Sequence, residues 1–203
     1  MRGLWPLPSG GIYQPEGAGA GRGVFYVPQR PYTTPGSLRD QVVYPLSARD
    51  ALARTAQGGS GEAGAQAALD AQLDGLMGVV RLQYLVPREG GWDATKEWGE
   101  VLSLGEQQRL GMARLFYHRP AFCVLDECTN ATSVDVEEAL YRHAAALGIT
   151  LVTITQRTAL VKYHARELRL LDGAGAWELR EIQALAAPSG GGGGSGGTAA
   201  GSS

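Results

Sequence analysis

Phe122-Cys123-Val124-Leu125 is an uninterrupted apolar run, and two acids, Asp126 and Glu127, follow it directly. A strand that delivers two carboxylates at its carboxyl end suits phosphate chemistry, because ligands of open α/β sheets gather at that end. One acid can hold a Mg²⁺ ion through water, and the other can orient or deprotonate an attacking water. Taken alone the pattern is weak, since a strand end facing solvent reads the same. Upstream stands Leu102-Ser103-Leu104-Gly105-Glu106-Gln107-Gln108-Arg109, which opens a helix. A Ser and a Gly there leave free N–H groups and the positive end of the helix dipole facing an anion. The octet by itself is equally a Ser N-cap followed by good helix formers. At this spacing from Asp126-Glu127, the two together point to nucleotide chemistry.

The elements that must position these groups follow from periodicity. Gly105 to His118 reads as a helix, with apolar Leu110, Ala113, Leu115 and Phe116 and strong formers throughout. Phe122 to Leu125 reads as a buried parallel strand. Val136 to Leu147 is helical, and Thr150 to Thr155 is a second apolar strand. Earlier, Gly23 to Val27 is a short β-type run stopped by Pro28, and Gln29 to Gly36 is a stiff loop. Ser47 to Asp50 is a capping-box-like entry to a helix ending near Gln57. Gly58 to Gly61 interrupts it. A second helical stretch is expected from Ala63 to Val86, and a loop from Gly90 to Glu100 holds Trp92 and Trp98. Glu167–Leu171 and Trp177–Ile182 flank Asp172-Gly173-Ala174-Gly175 as a hairpin. Helix, strand, helix, strand in this order indicates an α/β fold with a parallel sheet. From Pro188 the chain is Gly, Ser, Ala and Thr, the composition of a flexible tail.

Bulk properties exclude several classes. The 203 residues suffice for one ordinary domain, and 44% are apolar. A formal net charge of -2 gives no footprint for nucleic acid. The best candidate for an apolar span, Ala144 to Thr155, has 12 uncharged residues, whereas a bilayer-crossing helix takes roughly 20. Met1 to Pro6 does not read as a signal peptide. Cys123 and Cys128 suggest neither a disulfide framework nor zinc, and favour a reducing compartment. His118, His143 and His164 stand apart and read as surface or packing residues. Asn130-Ala131-Thr132 fits a glycosylation sequon, which the nucleotide context makes coincidental.

The chain resembles the nucleotide-binding domains of ABC transporters, and among them subfamily D, the peroxisomal fatty acyl-CoA transporters. The likeness lies in Phe25-Tyr26-Val27-Pro28-Gln29-Arg30-Pro31-Tyr32, Gly91-Trp92-Asp93-Ala94-Thr95, Leu102 to His118, and Leu125 to Glu137. It is similar to the second such domain of the plant and algal full-length type. The resemblance implies a partial RecA-like P-loop NTPase core over residues 1–185, with an ABC helical subdomain at about 47–118. Residues 186–203 would then be a disordered tail. It implies ATP and Mg²⁺ as cofactors. Gln29 resembles the Q-loop glutamine, which touches the metal–water site and relays to a membrane domain. Ser103 and Gly105 resemble the signature residues that close over the γ-phosphate of ATP held by a second nucleotide-binding domain. Asp126 resembles the Mg²⁺-holding Walker B aspartate and Glu127 the catalytic glutamate; Asn130 to Ser133 sits where the D-loop does.

Three departures stand out. Leu104 and Glu106 replace the commoner Gly and Gln of the signature. Gln156 stands at the switch-histidine position, and an amide can hydrogen-bond a phosphate without carrying charge. No Gly-x-x-x-x-Gly-Lys-Ser/Thr occurs; Gly17 to Gly23 reads as a loop insertion. The family's P-loop would fall just before Gly3, and the membrane-spanning half further upstream. The expectation is therefore a transporter ATPase domain at the cytosolic face of the peroxisomal membrane, inactive by itself. The alternative is a non-catalytic module that supplies a signature half-site to a partner.

Overall fold

The computed structural model describes residues 10–11, 23–57, 61–171 and 175–182. The chain divides into two compact units, residues 1–156 and 157–203. The tail expected from Pro188, the Gly17–Gly23 insertion up to Arg22, and the first three residues of the Gly58–Gly61 break lie outside the described residues.

In the first unit three parallel strands form one sheet: β1 (Val24–Val27), β2 (Phe122–Asp126) and β3 (Thr150–Ile154), in the order β1-β2-β3. Val27 lies opposite Leu125, and Asp126 opposite Ile154. Val27, Cys123 and Leu125 are buried. The sequence pattern suggested that β3 is buried as well, but Val152 and Ile154 are exposed. Among the described strands β3 is an edge, and an apolar run alone does not tell an edge from a centre.

Seven helices surround or extend from this sheet among the described residues. They are α1 (Leu38–Val43), α2 (Ala48–Ala56), α3 (Glu62–Val79), α4 (Leu85–Glu89), α5 (Trp98–Val101), α6 (Leu104–His118) and α7 (Val134–Ala146). Capping boxes start α1, α2 and α6: Ser37, Ser47 and Ser103 each accept from the N3 amide, and Asp40, Asp50 and Glu106 answer. The helix expected to run from Ala63 to Val86 stops at Val79. Leu82 N donates to Met77 O (2.8 Å) and Arg81 N to Gly78 O (3.2 Å), with Arg81 at φ 57°. This is a Schellman stop. Met77 and Leu82, both buried, supply its apolar contact. Two short helices fall where loops or nothing regular was expected, α1 and α5.

Trp92 and Trp98 are buried packing residues with satisfied indoles: Trp92 donates to Asp74 and Trp98 to the Gly36 carbonyl. Buried Arg39 ties α1 to Asp70 of α3 and to Asp93. His118 bonds the carbonyls of Val43 and Tyr44, and His143 packs edge-on against Phe116. Among the described residues no helix is long and apolar enough to cross a membrane.

The second unit holds a 3₁₀ turn, Thr158–Tyr163, and the expected antiparallel hairpin of β4 (Arg166–Leu170) and β5 (Trp177–Glu181).

Candidate functional site

Parallel register brings the ends of β1, β2 and β3 to one edge of the sheet, and with them the Gln29 loop, Asp126-Glu127 and Gln156. The Asp126 carboxylate accepts a 2.6 Å hydrogen bond from the Tyr26 hydroxyl of β1. Glu127 is the first residue to leave the ladder. Its N–H still donates to Ile154 O at 3.0 Å, while its φ of 44° is left-handed. A non-Gly residue pays roughly 1 kcal/mol or more for that conformation. The turn aims the carboxylate between two loops. Glu127 Oε2 accepts from Asn130 Nδ2 at 2.9 Å and from Gln29 Nε2 at 3.5 Å. Gln156 is exposed, and among the described residues it makes no hydrogen bond to Glu127.

A buried amide braces these loops from behind. Gln108, on α6, donates from Nε2 to the Gln29 carbonyl (3.0 Å) and accepts at Oε1 from the Ala131 N–H (2.9 Å). It is 1% exposed. One side chain thus fixes the backbones that carry both partners of Glu127. Glycines let α6 come this close. A Cβ on Gly105 would lie 2.7 Å from Ala131 O, and one on Gly111 would lie 3.1 Å from Pro31 and Val27 side-chain atoms. Gly105 is therefore required by packing within the chain.

The head of α6 presents Ser103, Leu104, Gly105 and Glu106. Ser103 and Leu104 are exposed, and Glu106 is buried. Ser103 donates from its N–H (2.8 Å) and its hydroxyl (2.9 Å) to Glu106 Oε2. Glu106 Oε1 accepts from Tyr84 hydroxyl (3.0 Å) and Arg88 Nη1 (2.7 Å). Burial pushes the Glu106 carboxyl up, but Arg88, the Ser103 amide and hydroxyl, and Tyr84 outweigh it and hold the group at about 2. The N–H groups of Leu104 and Gly105 head the helix, where no preceding turn supplies carbonyl partners.

Sequence reasoning missed Tyr26, Asn130 as a partner of Glu127, Gln108, Tyr84 and Arg88. Asn130 had a visible signal, lying three residues after Glu127 in a short turn. The others are brought in by tertiary contacts. Both cysteines are buried, and burial pushes the Cys128 thiol to about 12 and Cys123 higher still, so neither is a nucleophile.

The donors near Asp126 are hard oxygens, a set that suits Mg²⁺. Among the described residues no three His, Cys, Asp or Glu side chains converge on a metal position. The set fits a cation that brings phosphate oxygens and water with it, and does not form an all-protein cage.

No protein-family model matches the chain. It is 56% identical over 191 residues to ABC transporter D family member 1 of Arabidopsis thaliana, covering 90% of this chain and 14% of that protein. It is 46% identical over 180 residues to ATP-binding cassette sub-family D member 3 of Rattus norvegicus, covering 88% of this chain and 25% of that protein. Identity to the mouse lysosomal cobalamin transporter ABCD4 is 39% over 185 residues, covering 90% and 28%. The chain thus spans between a seventh and just over a quarter of the length of these relatives. A solved bacterial Atm1-family ABC exporter with ATP bound shares the fold, at TM-score 0.54 and 21% identity, over 71% of this chain and 23% of that one. With relatives of this identity aligned along nine-tenths of its own length, the chain belongs to the D family of ABC transporters, as part of a nucleotide-binding domain.

Proposed function

We propose that this chain supplies two halves of ATP-hydrolysing sites in a D-family transporter: a signature face for a partner domain's nucleotide, and the Walker B acids of its own. The observation that carries the reading is Glu127, pointed out of β2 and held by Gln29 and Asn130. A water-activating acid must be held in this way. Asp126 and Gln29 would hold Mg²⁺, which when bound with ATP neutralises phosphate charge. Glu127 orients and deprotonates water, and Gln156 donates a hydrogen bond to phosphate without adding charge. Ser103 and the leading N–H groups of α6, with Leu104 and Glu106 lining the same face, close over a γ-phosphate held by the second nucleotide-binding domain.

A groove of about 670 Å³ between the Gln29 loop and the head of α6, lined by Arg30, Tyr32, Thr33, Gly99, Leu104 and Gln107, offers a seat to the membrane domain. The cargo we assign is fatty acid or fatty acyl-CoA at the peroxisomal membrane, with this chain on the cytosolic face. The family resemblance supports this, as does higher identity to the D family members 1 and 3 above than to the lysosomal cobalamin transporter. The second reading is a non-catalytic module that lends only its signature face. It is favoured by the lack of any Gly-x-x-x-x-Gly-Lys-Ser/Thr in these 203 residues.

The test mixes the chain with a D-family nucleotide-binding domain that has a P-loop but whose own signature serine is changed to arginine. Wild-type chain is expected to raise MgATP hydrolysis, and Ser103→Arg to abolish that rise. Equal stimulation by both, or none by either, would sink the half-site reading.

A further inference from the structure

We propose that Arg88 is a positioning residue for the signature half-site, acting through Glu106 on Ser103; this rests on the half-site reading above. A carboxylate at the head of an anion-accepting helix is a liability twice over. Its charge repels phosphate, and its oxygen competes for the serine hydroxyl proton. Here Glu106 holds the Ser103 hydroxyl at 2.9 Å, so a phosphate must draw that proton away from it. The exchange leaves Glu106 buried with its remaining donors, the Ser103 N–H, Tyr84 and Arg88. Arg88 brings the only positive charge among those donors. Its guanidinium ion-pairs with Glu106 at 2.7 Å and also with Glu89, which Lys96 holds from the other side at 2.7 Å. Arg88 also lies over the Tyr84 ring, 5.5 Å from its centroid. Lys96–Glu89–Arg88–Glu106 therefore forms a line of alternating charge ending at the serine. It neutralises Glu106 and leaves the serine hydroxyl free to be given up.

The test uses the mixing assay with R88M, E106Q and R88M/E106Q chains, reading kcat and KM for MgATP. Methionine keeps most of the stem and removes the charge. R88M is expected to lower stimulated kcat/KM roughly tenfold or more, since it strands a buried carboxylate beside the ligand. R88M/E106Q is expected to return to within twofold of E106Q alone. A purely structural role for Arg88 would lower the amount of folded chain, and with it stimulated kcat and the thermal midpoint, with KM for MgATP unchanged. R88K retains the charge and should fall between wild type and R88M; it takes the place of R88M if thermal melts show R88M unfolded. Stimulation by R88M equal to wild type, or a double variant no better than R88M, would overturn the proposal. If Ser103→Arg stimulates as well as wild type, the half-site reading fails first and this inference falls with it.

Discussion

Replacing Gln108 with leucine tests whether one buried amide braces both loops around Glu127. Leucine fits a similar volume but offers neither the Nε2 donor nor the Oε1 acceptor. Gln29 O and Ala131 N–H would then lose their partners at 3.0 and 2.9 Å in a place with 1% exposure. Each stranded buried polar group costs about 1–3 kcal/mol. Leucine's apolar atoms offset part of that, so the net loss should be about 2–4 kcal/mol. With a urea dependence of about 2 kcal/mol per molar for a unit of this size, the midpoint should fall by about 1–2 M. Tryptophan fluorescence reports it, because Trp92 and Trp98 are buried in the same unit. Hydrogen exchange supplies the local readout: the Ala131 amide should lose protection in Gln108→Leu. It should keep protection in Gln108→Glu, which retains an acceptor for Ala131 but no donor for Gln29. A stability change under about 0.5 kcal/mol with unchanged Ala131 exchange would show that Gln108 does not brace these loops.

Glycines separate in the same way. Gly75 of α3 has open space where a Cβ would go, so Gly75→Ala should stabilise by about 0.5–1 kcal/mol. Gly105→Ala should destabilise despite its better helix propensity, because its Cβ would meet Ala131 O at 2.7 Å; paired thermal melts decide between the signs. Acid should also unfold the protein partly through Glu106, held at about 2 against an ordinary 4.5. A depressed folded value means the stabilisation is full above about pH 4.5 and is lost as pH falls toward 2. Glu106→Gln should therefore remove on the order of 2 kcal/mol from the stability difference between pH 6 and pH 3, measured by denaturant unfolding at both.

Where a local rule decided the conformation, the residues announced it. The Ser103–Glu106 capping box and the period of Leu110, Ala113 and Phe116 locate α6 to within a residue. The two turn-flanked alternating runs give the β4–β5 hairpin. The same rule was present for α1, where Ser37 and Asp40 form a capping box, but the surrounding Pro and Gly hid a six-residue helix. The stop at Val79 was hidden for a different reason. Val80, Leu82 and Leu85 stay buried after the helix ends, so the apolar pattern continues through the break. At the site, residue types at β-strand ends and helix starts were readable. The supports were not, because Tyr26 reaches Asp126 across 100 positions and Gln108 reaches Gln29 across 79. Glu106 looked like a simple variation of the signature, and only Arg88 and Tyr84 explain how its charge is tolerated there.

If the head of α6 closes on a nucleotide held by another domain, the γ-phosphate of that nucleotide must come within reach of Ser103 to Glu106. Photolabelling tests it most directly. A P-loop-bearing D-family domain would be loaded with an ATP analogue carrying a photoreactive group on the γ-phosphate, mixed with this chain, irradiated and digested. Label is expected on the peptide containing Ser103 to Glu106, dependent on the partner domain and absent when the chain is irradiated with the analogue alone. Label elsewhere on the chain, or labelling of this peptide without the partner, would contradict it.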